Sequence, residues 1–140
     1  MSFVKCTAVL CAVILAGCAG AQLAPEQIAA KQRDEQRVET MQRVHFGLRE
    51  YHNRFSSCPA GRNLVLGSEA ANTLSDIGFT AAGSASGDIY ESNLPPDPGS
   101  GAYVYNQLYQ GKGYTITFTL EVGARGFGPG THTATLNSIE

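Results

Sequence analysis

"VETMQRVHFGLREYHNRF", residues 38 to 55, carries apolar or aromatic side chains at Val38, Met41, Val44, Leu48, Tyr51 and Phe55. The spacings of 3, 3, 4, 3 and 4 follow the turn of an α-helix and gather these residues on one face. From Glu26 to Ser57 there is no proline, and Gly47 is the only glycine. Pro25 suits a first helical turn, where its missing N–H costs little. Pro59 and Gly61 end the run. The sequence predicts a helix over residues 26 to 57, about 48 Å long at 1.5 Å per residue. Glu39–Arg43 and Glu50–Arg54 stand four residues apart with the acid first, the favourable order for pairing along a helix. Residues 26 to 37 have almost no apolar stripe and read as a solvated stalk, so only the second half of the helix has a face to bury.

Downstream the period changes to two. "AYVYNQ", residues 102 to 107, reads as a strand, and "YTITFTLEV", residues 114 to 122, alternates strongly. Tyr114, Ile116, Phe118, Leu120 and Val122 face one way, and Thr115, Thr117, Thr119 and Glu121 the other. "THTATLNS", residues 131 to 138, is a last, more polar strand. One apolar and one polar face mark an antiparallel sheet covered on one side, here spanning residues 102 to 137. Between helix and sheet, Ser68 as N-cap, an apolar face of Ala70, Ala71, Leu74 and Ile77, and Gly78 just past the end predict a small helix over 69 to 77. "TAAGSASGD", residues 80 to 88, is a small-residue loop, and the prolines of "SNLPPDPGSG", residues 92 to 101, exclude helix and central strand. The fold class is α+β. Val38, Met41, Leu48, Tyr51 and Phe55 of the helix are expected to pack on Tyr103, Tyr105, Tyr114, Ile116, Phe118 and Leu120 of the sheet.

The chain of 140 residues suits one domain, and its net charge of −2 offers no basic surface for nucleic acid. Lys5 precedes a mostly apolar run, Cys6 to Ala16. That run is shorter than the ~20 residues a membrane-spanning helix needs and reads as a signal-peptide core. "LAGC", residues 15 to 18, resembles the lipobox of bacterial lipoproteins. The resemblance implies diacylation of the Cys18 thiol, cleavage before it, a leader over 1 to 17 and a lipidated tether over 18 to 25. Several acyl chains give a stable membrane anchor where one is marginal. Ala19, where Asp would signal retention at the inner membrane, implies the periplasmic face of a Gram-negative outer membrane. The residues also admit ordinary secretory cleavage near "CAGA", residues 18 to 21.

"KQRDEQRVETMQRVHFGLREYHNRFSSCP", residues 31 to 59, is similar to the helix that follows the membrane segment in type II secretion pseudopilins and type IV pilins. Arg33, Asp34, Arg37, Leu48, Tyr51 and Pro59 carry that likeness. "LPPDPGSGAYVYNQLYQGKGYTITFTLE", residues 94 to 121, looks like the β segment of the same family through Pro95, Asp97, Pro98, Tyr103, Tyr105, Tyr114, Leu120 and Glu121. The resemblance implies a pilin-like roll over residues 26 to 140, a long helix on a three- or four-stranded antiparallel sheet. It implies protein partners in the cell envelope, in a secretion or pilus system, or self-association. The family's filament-forming hydrophobic helix has no counterpart before Pro25. A lipobox and a polar stretch stand there instead, which puts ordinary packing into a filament core in doubt.

Other chemistry is weakly signalled. Asp88, Glu91 and Asp97 fall where some pseudopilins bind calcium, but lack the spacing of a calcium loop and double as turn formers. A periplasmic calcium- or small-ligand-binding module is therefore the alternative reading. His45 and His52, seven residues apart, lie about 10 Å apart along a helix, too far to share one ion unaided. They read as partly buried side chains. Cys58 reads as a small buried hydrophobe, or as half of an intermolecular disulfide in an oxidising periplasm. No GxSxG, HExxH or P-loop pattern occurs, and no enzymatic role is expected.

Overall fold

A computed structural model describes residues 23 to 140 of the chain; the leader, Cys18 and the start of the tether lie outside the described residues. Helix α1 spans Pro25–Phe55, 31 residues, about 46 Å at 1.5 Å per residue. Its first turn is held by Ala24, whose N–H donates to Gln27 Oε1 at 3.1 Å. It ends at Ser56, whose left-handed backbone (φ 52°) aims its N–H at the His52 carbonyl.

Two antiparallel sheets pack against α1. In the larger, β1 (Leu64–Leu66), β5 (Tyr103–Leu108), β6 (Gly113–Leu120) and β7 (Gly130–Thr135) lie in the order β1-β5-β6-β7. In the smaller, β2 (Thr73–Ser75), β3 (Gly78–Thr80) and β4 (Ile89–Glu91) lie in the order β3-β2-β4. Every pairing is antiparallel. The expected α+β class, one long helix on antiparallel sheet, is what the chain adopts.

The period-3.6 stripe and the period-2 stripe meet in the core. Val38, Met41, Val44 and Leu48 are wholly buried, as are Tyr105 and Ile116, with Tyr103, Tyr114, Phe118 and Leu120 almost so. Burying each such side chain contributes roughly 1.5–3 kcal/mol. Tyr105 donates to the Pro59 carbonyl at 2.6 Å and stacks on Tyr114 with ring centroids 5.8 Å apart. Gly47 lets β4 cross the helix closely: a Cβ there would lie 3.2 Å from the Tyr90 carbonyl oxygen.

Four local expectations are corrected. No helix forms over 69 to 77. Ser68 donates to the Val65 carbonyl instead of capping, and residues 73 to 75 become β2, paired to β3 on one side and β4 on the other. Nine residues are too few for a self-supporting helix, and the proposed face is broken, because Ala70 and Ile77 are exposed. The stalk is not solvated throughout: Ala30, Asp34 and Arg37 are buried. Phe55 is 40% exposed and only leans on the half-buried Tyr51, at 4.6 Å between centroids. Val122 is exposed as well, because β6 stops at Leu120 and the next three N–H groups turn to Asp34.

Candidate functional site

Arg37 is the centre of a charged clasp that ties three distant segments together. Its Nε and Nη2 grip both oxygens of Asp97, at 2.8 and 2.7 Å. Its Nη1 donates to Asp34 Oδ1 at 2.8 Å and to Glu121 Oε1 at 2.7 Å. Asp34 in turn accepts the backbone N–H groups of Glu121, Val122 and Gly123, at 2.9, 2.8 and 2.8 Å. Arg33 closes the outer side with two bonds to Glu121, at 2.8 and 2.5 Å. Asp34 and Arg37 share a helix face because they stand three residues apart. The sequence reading placed them on a solvated stalk, and the signal that could have corrected it was the likeness that also drew in Asp97 and Glu121.

The electrostatics follow from that geometry. Burial alone would raise the Asp34 carboxyl, but three N–H donors and Arg37 hold it below the ordinary carboxylate range. Asp97 behaves likewise: burial opposes, while Arg37 and the Gly99 N–H win. Glu121, between two guanidinium groups, is lowered to about 2. Arg37 is raised, chiefly by Asp97.

The clasp holds the loop of residues 94 to 101 against the helix, and a groove of about 460 Å³ lies beside it. Gln36, Glu39, Thr40 and Arg43 form its helix side, positions that share a face at i, i+3, i+4 and i+7. Pro95, Pro96, Asp97 and Pro98 form the other side, with Tyr103 between. The loop is also fixed from beneath, since Gly67 passes so close that a Cβ there would lie 2.2 Å from the Pro95 carbonyl oxygen. The Tyr103 hydroxyl is buried, with the Thr40 side chain beside it. Burial raises it to about 12.

The three acids considered for calcium are not brought together. Asp97 is gripped by Arg37, Glu91 pairs with Arg43, and Asp88 pairs with Arg54, which also reaches Asp76 at 3.2 Å. The arginines are thereby drawn to the loops and β4 rather than to the helix acids expected from sequence. Glu39 meets Arg125 instead, at 3.3 Å. His45 Nδ1 lies 2.9 Å from the Tyr114 hydroxyl, and burial, with Arg49 nearby, lowers its pKa. His52 is half-buried at the other end of the helix face. Cys58 is free and buried, and burial pushes its thiol up, which lowers its reactive thiolate fraction.

Comparison of the chain with protein-family models, with curated proteins and with solved structures finds no match.

Proposed function

We propose that the chain is a non-enzymatic lipoprotein of the cell envelope. In this reading a pilin-like roll, held by acyl chains on Cys18, serves as a structural or interaction component of a type II secretion- or type IV pilus-like assembly. The supporting observation is a convergence. Arg33, Asp34 and Arg37 from one family-like block, and Asp97 and Glu121 from the other, join in one hydrogen-bonded clasp across 60 to 88 residues of sequence. A charged network of this kind fixes one arrangement of helix, loop and sheet end, which suits a head that presents a rigid surface to partners.

The anchor sets where that surface is. Cys18 precedes Leu23 by five residues, which reach at most about 18 Å when extended. The head therefore sits close to the periplasmic face of the outer membrane. Two or three acyl chains hold it there firmly, where one would be reversible.

The test is a Cys18→Ser chain expressed beside the parent in a Gram-negative host. The parent should sediment with membranes and the variant should move to the soluble periplasmic fraction. Equal membrane association of both would refute the anchor. Mild crosslinking of the parent in cells should give adducts with envelope proteins or with itself, and recovery only as an isolated monomer would count against the interaction role.

A further inference from the structure

The end of the head that carries the N-terminus of α1 is apolar on one flank. Leu23 is 52% exposed, Ile28 46% and Val122 43%. Leu23, Gln27 and Lys31, four residues apart, line one side of the helix start. With Val122 and Gly123 they enclose a groove of about 270 Å³. Ile28 stands three residues from Lys31 and so beside it on the helix surface. Val122 is brought to this flank by the clasp. Strand β6 stops at Leu120, and Asp34 turns the chain by accepting the Val122 and Gly123 N–H groups, both at 2.8 Å. The turn is fixed, because Gly123 has φ 93° and leaves no room for a Cβ against the Phe127 carbonyl.

The charges on this flank balance. In residues 25 to 32 the only charged side chains are Glu26 and Lys31. Lys31 makes no ion pair among the described residues, and its apolar stem lets the ammonium reach outward. Glu26 stands two positions before Ile28, about 160° round the helix from it at 100° per residue. It lies on the far side, beside Arg33. Arg33 itself is neutralised by its two bonds to Glu121. The tether leads to the same place. Residues 18 to 25, "CAGAQLAP", hold no charge, and the five residues from Cys18 to Leu23 reach at most about 18 Å. The exposed Tyr109 is at the far end of the head, where the Gly111 carbonyl accepts the Cys58 N–H at 2.7 Å beyond the helix C-terminus.

We infer that Leu23, Ile28 and Val122 seat this end of the head on the phospholipid surface, at the boundary of headgroups and acyl chains. An interfacial apolar flank enters that boundary by about 5–10 Å, and Pro25 to Lys31 spans about 9 Å of helix. Lys31 then lies at the level of the lipid phosphates. The head leans towards Ile28, which lifts Glu26 clear, and the Arg33–Glu121 pair stays in water above. Because Glu26 and Lys31 balance, burial of apolar surface drives the contact and no anionic lipid is needed. Three aliphatic side chains would not hold a soluble chain on a membrane. The anchor makes the contact intramolecular and raises its effective concentration. Seated this way, the head points its Tyr109 end away from the bilayer. The inference rests on the lipid anchor at Cys18 and deepens it by naming the face that meets the membrane.

The experiment uses the acylated full chain, made in a Gram-negative host and reconstituted into vesicles of phosphatidylethanolamine and phosphatidylglycerol that carry acyl-brominated lipid as a quencher. A polar fluorophore is attached through Ile28→Cys, Val122→Cys or, as the control at the far end, Tyr109→Cys; the native Cys58 is buried. Labels at 28 and 122 should be quenched about twofold or more, because they lie within the 5–10 Å interfacial layer, and the label at 109 should not. Val122→Asp, at an exposed position, should leave the melting temperature in detergent unchanged and abolish quenching at 28. Raising the salt, or replacing the anionic lipid with phosphatidylcholine, should leave the quenching as it was, and its loss in either case would overturn apolar seating. Chain that floats with the vesicles yet shows no quenching at 28 and 122 would overturn the seat and leave the anchor standing. Equal quenching at 28, 122 and 109 would also overturn it, since the head would then lie on its side. Chain that does not float would overturn the anchor and the seat together.

Discussion

Replacing Arg37 with Met isolates what the clasp contributes. The Met side chain keeps much of the apolar stem but removes all four side-chain hydrogen bonds that Arg37 makes. Asp34 and Asp97, with side chains 0% and 3% exposed, then lose their cation. Asp34 keeps its three backbone donors, but Asp97 keeps the Gly99 N–H at 2.8 Å and no guanidinium. Breaking a buried ion pair by removing one partner costs about 3–5 kcal/mol, because a charge is left uncompensated. For a chain of this size 1 kcal/mol moves the melting temperature by about 4 °C, so the fall should be about 12–20 °C. Circular dichroism melts of the full chain at pH 7 measure it. Arg37→Met with Asp97→Asn should recover part of the loss, since one stranded charge is gone. A fall of less than about 4 °C, or a double variant no better than the single, would refute the reasoning.

Two further outcomes follow from the same structure. Asp34, Asp97 and Glu121 are lowered in the folded chain, so the unfolded chain binds more protons across the acidic range. Their stabilisation is complete above the ordinary carboxylate range and is lost as pH falls from about 4 towards about 2, where Glu121 titrates. His45, lowered by burial, acts in the same direction, beginning below about 6.5. Acid titration followed by tyrosine fluorescence should show the loss, and Arg37→Met should flatten its carboxylate part. Gly47→Val should destabilise by about 2 kcal/mol or more. It adds a branched side chain where even a Cβ lies 3.2 Å from the Tyr90 carbonyl oxygen, and overpacking typically costs ~1–3 kcal/mol. Chemical denaturation measures it, and an unchanged midpoint would mean that β4 moves away freely.

How much was legible in the sequence varied with how local the determinant was. Val38, Met41, Val44 and Leu48 announced themselves by helical spacing, and Tyr114 to Leu120 by alternation. Those eight residues are buried, while Tyr51, Phe55 and Val122, at the ends of the same stripes, are half-buried or exposed. Residues 69 to 77 misled because Ala70, Ala71, Leu74 and Ile77 fit a helical face by number alone. Pairing with β3 and with β4, whose Ile89 sits opposite Ser75, decided the matter from outside the segment. The stalk misled for a related reason. Asp34 and Arg37 look solvated when read beside their sequence neighbours, and become buried only when Asp97 and Glu121 arrive to neutralise them.

The sequence by itself determined the α+β class, the long helix, the strands β5 to β7 and most of the core, because 3.6- and 2-residue periods are imposed by backbone geometry that each segment carries alone. Tertiary structure decided the second sheet, the clasp and the proline-walled groove with Tyr103 at its floor. The second sheet depends on strands pairing across residues 73 to 91, and the clasp on charged side chains 60 or more residues apart meeting in a low-dielectric interior, where a charge must find a partner or remain costly.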